Sequence, residues 1–531
     1  METKVLFAAL LLFTFLGSTL VFSPPPVFAQ IGCDTTITTK TTLTADIGPC
    51  IGDGLTIGAN GITLNCAGHT ISGNIAVGIN LTGLAKVKVE NCNIVGFYDG
   101  FYISGSSGNT LSANTVDKSG NDGFYLTSSS KNTLSKNTAN SNIGTGFALD
   151  SSSNGNTLSK NTANSNNATG FYLSSSSTNK LTSNTANNNN GPGFLLSGSS
   201  TNKLTSNTAN NNNGPGFYLF GSSGNTLSTN KAYSNFYGFY LSSSSSNTLS
   251  TNTAYTNSHD GFYLTVSSSN KLTSNTANTN LYGFYLFGSS SNTFSKDKAS
   301  INTLDGFDLY GSSNTNKLTG NSATSNGDDG FYLSGSSGNT LSTNTASGNF
   351  YGFYLFGSSG NTLSTNKANT NGYDGFYLSS SSSDTLTKNT ANSNALNDGF
   401  ELRSSSNINI LTSNTANSNG NAGFGLYGSS GNTLTSNSAS SKNFGFYLYS
   451  SSNSILTKNK ANTNGYDGFY LSGSSGNTLT SNTANSNKQY GYSDSTAGSG
   501  TKGTANIYTS DGCNSNSLGG SNPTGLGAPQ N

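Results

Sequence analysis

The chain has 531 residues, of which only 8% are charged, and its 23 basic and 22 acidic residues leave a formal net charge of +1. This balance shows no excess of basic surface of the kind that nucleic acids and anionic membranes require, so neither is expected as a partner. Aromatic residues make up 11% of the chain and its apolar residues recur at a fixed period, which excludes disorder despite the abundance of Ser, Thr, Asn and Gly.

Residues 1–29 are predicted to be a secretory signal peptide. Lys4 precedes an almost wholly apolar run over residues 5–22, and Val27, Phe28 and Ala29 fit a cleavage site after Ala29. An uncleaved membrane anchor is the alternative. No later stretch is long and apolar enough to span a bilayer, so the mature chain is expected to be secreted, periplasmic or on the cell surface.

Residues 30–99 are richer in Thr, Ile and Val and hold four of the five cysteines, which suits an oxidising compartment. Four cysteines allow three pairings, of which we favour Cys33–Cys50 and Cys66–Cys92. Cys513 lies near the other end of the chain and either stays reduced or bonds to another chain. This section is predicted to be an N-terminal cap with irregular first coils.

A Gly-Phe pair, whose glycine we call the repeat glycine, recurs every 22 to 24 residues from Gly100 to Gly468, and Gly491 with Tyr492 forms a degenerate last copy. The seventeen residues GFYLFGSSGNTLSTNKA even occur twice unchanged, at 216–232 and 352–368. Such a short fixed period indicates a solenoid. Each unit holds short alternating runs between Gly, Asn and Ser, which predicts three strands and three turns per coil of a parallel β-helix over residues 100–492. Residues 493–531 lose the repeat and are predicted to cap the rod or trail from it.

Side-chain alternation along each strand assigns the inner and outer faces of the coil. In the coil that begins at Gly216, the side chains predicted to point inward are Phe217, Leu219, Leu227 and Ala232. The same residue types recur in the other coils, so the core is expected to consist of stacked columns. An Asn follows the third inward residue in nearly every coil from Asn114 to Asn482, with Asp297 as the exception. These amides are predicted to turn the chain and to hydrogen-bond from coil to coil as a ladder.

The opening CDTTIT, the segment GITLNCAGHTISG (Gly61–Gly73) and the later N-x-A coils resemble secreted NosD-type proteins of the pectin-lyase-like superfamily. The resemblance covers residues 31–490 and implies an all-β, right-handed, single-stranded parallel β-helix of about 18 regular coils after irregular N-terminal coils. NosD-type proteins are described as copper-binding. Copper favours His, Met or Cys thiolate ligands, and the mature chain offers only His69 and His259, about eight coils apart. We therefore predict no metal and no cofactor, with copper binding as an alternative.

Enzymes of that superfamily act on polysaccharides through clustered carboxylates. Asp305 precedes a repeat glycine one coil before Asp328 and Asp329. Asp374 and Asp398 share that position on another two adjacent coils, with Glu401 and Arg403 in the strand after Asp398. Asp-Gly is also common turn chemistry, and coil length never varies by more than two residues, as in a smooth rod without a walled cleft. We therefore predict no catalytic residue, with a polysaccharide lyase or hydrolase as the alternative.

A Tyr follows the repeat Phe in twelve of eighteen coils. The candidate ligand-binding residues in this outward stripe are Tyr218, Tyr240, Tyr263, Tyr285, Tyr332, Tyr354 and Tyr377. Tyr can stack on sugar rings, although ladders of aromatic residues also stabilise sheets. The stripe is interrupted at Ala148, Leu195, Asp308, Glu401 and Gly425. The sequence thus favours a non-catalytic rod for surface structure or for binding an extracellular polysaccharide or envelope component. A second outward face of Thr and Ser, broken by several lysines, offers water ordering as a further alternative.

Overall fold

The computed structural model describes residues 31–529, so the predicted signal peptide at 1–29 lies outside the described residues. The strands pair in parallel, each with the equivalent strand of the next coil, and form three long sheets that run the length of a solenoid. The predicted parallel β-helix is therefore confirmed. We number the sheets 1, 2 and 3 in the order in which each coil visits them. No helix in residues 31–529 is long and apolar enough to cross a membrane.

Sheet 1 carries the Phe of each repeat and has 22 strands within the described part of the chain. Its strands are Thr35–Ile37, Leu55–Ile57, Val77–Thr82, Asp99–Ser104, Phe124–Thr127, Phe147–Asp150, Phe171–Ser174, Phe194–Ser197, Phe217–Phe220, Phe239–Ser242, Phe262–Thr265, Phe284–Phe287, Phe307–Tyr310, Phe331–Ser334, Phe353–Phe356, Phe376–Ser379, Phe400–Arg403, Phe424–Tyr427, Phe446–Tyr449, Phe469–Ser472, Tyr490–Asp494 and Gly519–Asn522.

Sheets 2 and 3 follow within each coil and are built mainly from strands of three residues. Sheet 2 runs from Thr41–Thr42 to Ile507–Thr509, with Thr226–Ser228 as a regular member. Sheet 3 runs from Ile47–Cys50 to Ala528–Pro529, with Lys231–Tyr233 as a regular member. The short length of these strands follows from the Asn, Ser and Gly residues that bend the chain at both ends of each one.

The predicted inward columns form the core. The rings of the repeat Phe residues stack face to face along the rod, as Phe239 and Phe262 do with their centroids 4.7 Å apart, and Tyr492 ends the column at 5.0 Å from Phe469. These rings and the Leu and Ala columns beside them are essentially inaccessible to solvent. The repeat glycine has a packing reason, because a Cβ on Gly261 would lie 2.7 Å from both Ala277 Cβ and the Gly283 carbonyl oxygen.

The predicted Asn ladder is confirmed at the corner between sheets 2 and 3. Both the backbone N–H and the side-chain amide of Asn207 donate to Asn230 Oδ1, at 2.9 and 3.0 Å, and the same amide also donates to the Leu181 carbonyl. Two further ladders, one at each of the other corners, were not predicted; Asn202 with Asn225 and Asn189 with Asn212 are examples. Buried amides therefore satisfy the backbone at all three bends of the coil.

The two ends of the rod differ from its middle. The predicted disulfides Cys33–Cys50 and Cys66–Cys92 are both present in the first coils. Beyond Tyr492, the strands Ile507–Thr509, Gly512–Asn514 and Gly519–Asn522 add one more coil after an insertion that contains the single-turn 3-10 helix Thr501–Gly503. In that coil Cys513 occupies the position that Ala484 holds in the coil before it.

Candidate functional site

The predicted Tyr stripe forms a row on the outer face of sheet 1, which we call the tyrosine row. Each Tyr is the second residue of its strand, so it pairs in register with the Tyr of the next coil. The rings of Tyr218, Tyr240, Tyr263 and Tyr285 stack with centroid distances of 4.7, 4.8 and 5.2 Å. The second run is less parallel: Tyr354 lies 5.1 Å from Tyr332 and 4.8 Å from Tyr377, with rings tilted by 40° and 30°.

This stacking decides which parts of the row a ligand can reach. All seven predicted Tyr side chains are half-buried, because each ring covers the faces of its neighbours. Within a run, only ring edges and hydroxyl groups face the solvent. A ring face becomes available only where the row is interrupted, because a sugar stacks on the face of an aromatic ring rather than on its edge. The interruptions are therefore the places where the tyrosine row can take a ligand.

Further aromatic residues widen the row, and the sequence prediction missed them. Tyr237, Tyr282 and Tyr351 directly precede a repeat glycine and pack beside the row, with Tyr282 5.1 Å from Tyr285 and Tyr351 5.0 Å from Tyr377. The sequence signal was the tetrapeptide Tyr-Gly-Phe-Tyr, which places an aromatic residue where many other coils have Asp. Two aromatic positions per coil therefore border the outer face of sheet 1 in this part of the rod.

The interruption at Asp308 opens a cavity. Asp308 pairs with Tyr285 on one side and with Tyr332 on the other, so its short side chain leaves a gap between two Tyr rings. The cavity measures about 490 Å³ and is lined by Tyr282, Tyr285, Asp305, Asp308, Tyr310, Asp328, Asp329, Tyr332, Tyr351 and Tyr354. Four carboxyl groups and six tyrosines thus surround one depression in the outer face of sheet 1.

The carboxyl groups of this cavity differ in their bonding. Asp305 Oδ1 accepts a hydrogen bond from the Asp329 backbone N–H at 2.7 Å, and Asp329 Oδ1 accepts one from the Tyr351 N–H at 3.3 Å. These bonds fit the turn role expected of Asp before glycine. Asp308 is different, since it is 4% exposed and its Oδ1 has no hydrogen-bond partner among the described residues. A buried acceptor left unpaired carries a desolvation penalty.

Burial shifts the acidity of these groups. It raises the pKa of Asp305 to about 7, with a smaller contribution from the nearby Asp328. Burial also raises the pKa values of Asp308 and Asp329 well above the ordinary range, and the Asp305 carboxyl raises both further. At neutral pH Asp308 and Asp329 are therefore protonated and Asp305 is about half protonated, so carboxyl groups of the cavity can donate as well as accept hydrogen bonds.

A second group of acids lies at the next acidic interruption, where Glu401 pairs with Tyr377. The Asn397 amide donates to Asp374 Oδ2 at 3.1 Å and to Glu401 Oε2 at 2.7 Å. Arg403 Nη1 lies 3.4 Å from Glu401 Oε1. Burial, and then the charge of Glu401, raises the pKa of Asp374 well above its ordinary value. Hydrogen bonds within this group connect its acids, and Arg403 forms an ion pair with Glu401.

Asp398 completes this second group, and both of its carboxyl oxygens accept hydrogen bonds from the protein. Its Oδ1 accepts the Ala422 backbone N–H at 2.7 Å and the Asn421 amide at 2.9 Å, and the Tyr427 hydroxyl donates to its Oδ2 at 2.9 Å. Burial raises the pKa of Asp398 to about 7. The network therefore has the character of a structural cluster rather than an open binding site.

Carboxylate oxygens approach closely enough to ligate a hard cation at two places in the described chain. Three carboxylates lie within 4.8 Å of one another in each group: Asp305, Asp328 and Asp329 in one, and Asp374, Asp398 and Glu401 in the other. The two histidines do not join either group. His69 contacts Asp46 at 3.2 Å in the first coils, and the ring of His259 lies 4.3 Å from that of Phe236.

Comparison with known proteins identifies the fold. The family model described as a right handed beta helix region matches residues 53–209, 191–323, 302–439 and 394–524. Similar solved structures include the periplasmic alginate epimerase AlgG, with 12% identity, 62% of this chain and 75% of that chain covered, and a TM-score of 0.34. The A-module of the Azotobacter vinelandii mannuronan C-5 epimerase AlgE4 has 16% identity, with 59% and 86% covered and a TM-score of 0.36.

The catalytic domain of a GH87 α-1,3-glucanase is also similar, with 14% identity, 55% of this chain and 59% of that chain covered, and a TM-score of 0.32. At these identities the likeness concerns the fold alone. No curated protein sequence matches the chain significantly.

Proposed function

The chain belongs to the right-handed β-helix family, and from that premise we propose that it is an extracytoplasmic rod that binds a polysaccharide at the cavity around Asp308. The observation that carries this proposal is the buried, unpaired carboxyl oxygen of Asp308 between two tyrosine rings. The two disulfides support a location outside the reducing cytoplasm.

The dimensions of the gap suit one sugar ring. Tyr285 and Tyr332 are two strand positions apart, which corresponds to roughly 9.6 Å at the usual spacing of a sheet. A sugar ring in van der Waals contact with both aromatic faces requires ~3.5–4.0 Å on each side, or about 8 Å in all. Two strand spacings therefore leave room for one ring above the Asp308 carboxyl, although Tyr282 stacks 5.1 Å from Tyr285 and takes up part of this gap, so the sugar would stack on the Tyr332 face.

The charge of the cavity favours a neutral sugar. The residues that line it include four aspartates and no lysine or arginine. An anionic sugar could bind there only if every carboxyl group around it took up a proton, because like charges in a buried site repel strongly. The hydroxyl groups of a neutral sugar can instead donate to and accept from the carboxyl groups that line the cavity. We therefore propose a neutral polysaccharide as the ligand class.

The regularity of the rod supports binding without catalysis. Coil length stays between 22 and 24 residues throughout 100–492, so no long loop rises beside the cavity to exclude water from a bound substrate. A site on a smooth face also leaves room for a long polymer to continue along the rod on both sides. These features suit a surface or envelope protein that holds a polysaccharide.

The test fills the gap with the residue that most other coils have there. Asp308→Tyr should continue the tyrosine row, preserve the fold and abolish binding of neutral polysaccharides in affinity electrophoresis. Leu195→Tyr is the matched control, because it fills an interruption of the same row that has no acidic residue in register with it or beside it. Binding that survives Asp308→Tyr unchanged would show that the cavity is not the binding site.

Glycoside cleavage is a second candidate, favoured by one observation. Asp328 is exposed to the cavity while its neighbours Asp305 and Asp329 are buried, so carboxyl groups in two different environments can face the same ligand. Such a pair is the usual requirement for acid and base catalysis at a glycosidic bond. Release of new reducing ends that Asp328→Asn abolishes would establish this activity, and binding without product release by the unaltered protein would rule it out for that polymer.

A further inference from the structure

Lysines collect on one side of the rod, on the outer faces of sheets 2 and 3 and at the corner between them. They occupy three positions of the coil: the first residue of a sheet 2 strand, the corner residue itself and the first residue of a sheet 3 strand. The thirteen residues, which we call the lysine ridge, are Lys136, Lys160, Lys180, Lys203, Lys231, Lys271, Lys296, Lys298, Lys317, Lys367, Lys388, Lys458 and Lys460. All of them are exposed.

No exposed acid neutralises the ridge. Between residues 133 and 485, the only acidic residue in sheet 2, sheet 3 or the corner between them is Asp297. Asp297 is fully buried in the Asn ladder, where burial raises its pKa to about 7. The ion pairs of lysine in the described chain involve Lys88 and Lys118, which lie outside the ridge. The other carboxyl groups of the regular coils lie around sheet 1, so a net charge near zero conceals two oppositely charged sides.

The positions of these lysines are unfavourable for the isolated rod. Lys180 and Lys203 pair directly in register on neighbouring strands, and Lys296 and Lys298 lie two residues apart in the chain at one corner. Like charges directly opposite in a sheet destabilise it. Thr is the usual residue at the strand positions and would avoid this repulsion. The uncompensated charge therefore points to an anionic partner that relieves it.

The shape of the lysine ridge limits which kinds of partner can contact all of its lysines. The chain bends at single residues in the left-handed region, such as Lys160 with φ 55° and Lys388 with φ 55°, so the lysines of sheets 2 and 3 lie on two differently oriented surfaces. A flat bilayer can touch only one of them fully. From Lys136 to Lys458 the ridge extends for roughly 67 Å at ~4.8 Å per coil. A linear polymer that lies along the corner can contact long lysine side chains from both surfaces.

We propose that the lysine ridge binds a linear anionic polysaccharide that lies parallel to the rod axis. Thirteen charges along the ridge correspond to about one per 5 Å. Duplex DNA carries one charge per ~1.7 Å, which is about three times denser. A uronic acid polymer carries one carboxylate per sugar, and each sugar advances the chain by about one strand spacing. This site is independent of the Asp308 cavity, which lies on sheet 1 and favours neutral sugars.

The experiment measures binding of the intact protein to immobilised polygalacturonate by interferometry at low and high salt. The quadruple variant Lys136→Gln, Lys160→Gln, Lys296→Gln and Lys388→Gln removes four charges from the corner. We expect its affinity to fall by about tenfold or more at low salt, and the binding of the unaltered protein to weaken steeply with added salt. The matched control carries Lys86→Gln, Lys442→Gln, Lys488→Gln and Lys502→Gln, which change the net charge equally outside the ridge and should retain binding.

Three outcomes would overturn the proposal: no binding to polygalacturonate at low salt, equal loss in both quadruple variants, or stronger competition by single-stranded DNA than by soluble polygalacturonate at equal charge. All eight substituted lysines are exposed, so matching thermal unfolding curves are expected and would show that folding is intact. Because Asp308→Tyr should leave this binding unchanged, failure of the ridge and failure of the cavity are distinguishable.

Discussion

Replacement of Asp384 by Asn should stabilise the protein in a way that grows with pH. Asp384 stands in the Asn ladder at the corner between sheets 1 and 2 and is fully buried. Its Oδ1 accepts hydrogen bonds from the Asn361 backbone N–H at 2.7 Å and from the Asn361 amide at 3.1 Å. Its Oδ2 has no partner among the described residues. In the next coil, the Asn409 amide uses the equivalent position to donate to the Ser381 carbonyl at 3.0 Å.

The magnitude follows from the pKa of the carboxyl group. Burial raises the pKa of Asp384 from 3.8 to about 7. Each pKa unit between the folded and unfolded values corresponds to ~1.36 kcal/mol. The free energy of unfolding should therefore fall by up to about 4 kcal/mol as the pH rises from 4 to 8. The sign follows from linkage: the unfolded chain ionises first, so the stability present below pH ~4 is lost as pH rises to the folded value. The Asp384→Asn variant should avoid this loss and gain a ladder hydrogen bond of about 1 kcal/mol.

The assay compares urea unfolding of the unaltered protein and of Asp384→Asn at pH 4 and pH 8. The gap between the two proteins should be small at the acidic pH and several kcal/mol at the basic one. Asn316→Asp, the converse change in the same column, should introduce the same dependence on pH. If the gap between Asp384→Asn and the unaltered protein does not widen with pH, the ladder carboxyl is not held neutral and the reasoning fails.

Two further predictions concern the core and the first coils. Phe262→Ala removes a fully buried ring that stacks 4.7 Å from both Phe239 and Phe284, and should cost ~3–5 kcal/mol in urea unfolding, whereas Phe220→Ala, at a side chain that is 49% exposed, should cost less than ~1 kcal/mol. Equal effects of the two would contradict the assignment of the columns. The double change Cys66→Ser and Cys92→Ser removes a disulfide that spans 26 residues and should lower the free energy of unfolding by ~2–5 kcal/mol in thermal unfolding. Added reductant should cause no further change in the segment between positions 66 and 92 of this variant.

The period of the chain was sufficient to predict the coil, because each repeat is a local pattern that its neighbours copy. The alternation of Phe217, Tyr218 and Leu219 fixes which side chains enter the core, and the regular Asn after each Leu predicts a ladder. The ladders at the other two corners, represented by Asn202 and Asn212, escaped prediction although the same residue type recurs there. These Asn residues form ladders because they lie at corners of the coil, and the period of the sequence alone does not show where the corners are.

The sequence by itself determined the solenoid and its inner columns, whereas it only favoured one of three disulfide pairings, which the structure then established. Only the tertiary structure decided what the outer surface can do. Alternation places Tyr285 and Asp308 outside the core, yet the stacking of coils covers the tyrosine faces and leaves the Asp308 carboxyl buried in a gap between them. Likewise, stacking gathers lysines from distant repeats onto one side of the rod. The reason is physical: a strand sets the direction of its own side chains, but exposure and charge environment depend on neighbours one coil away.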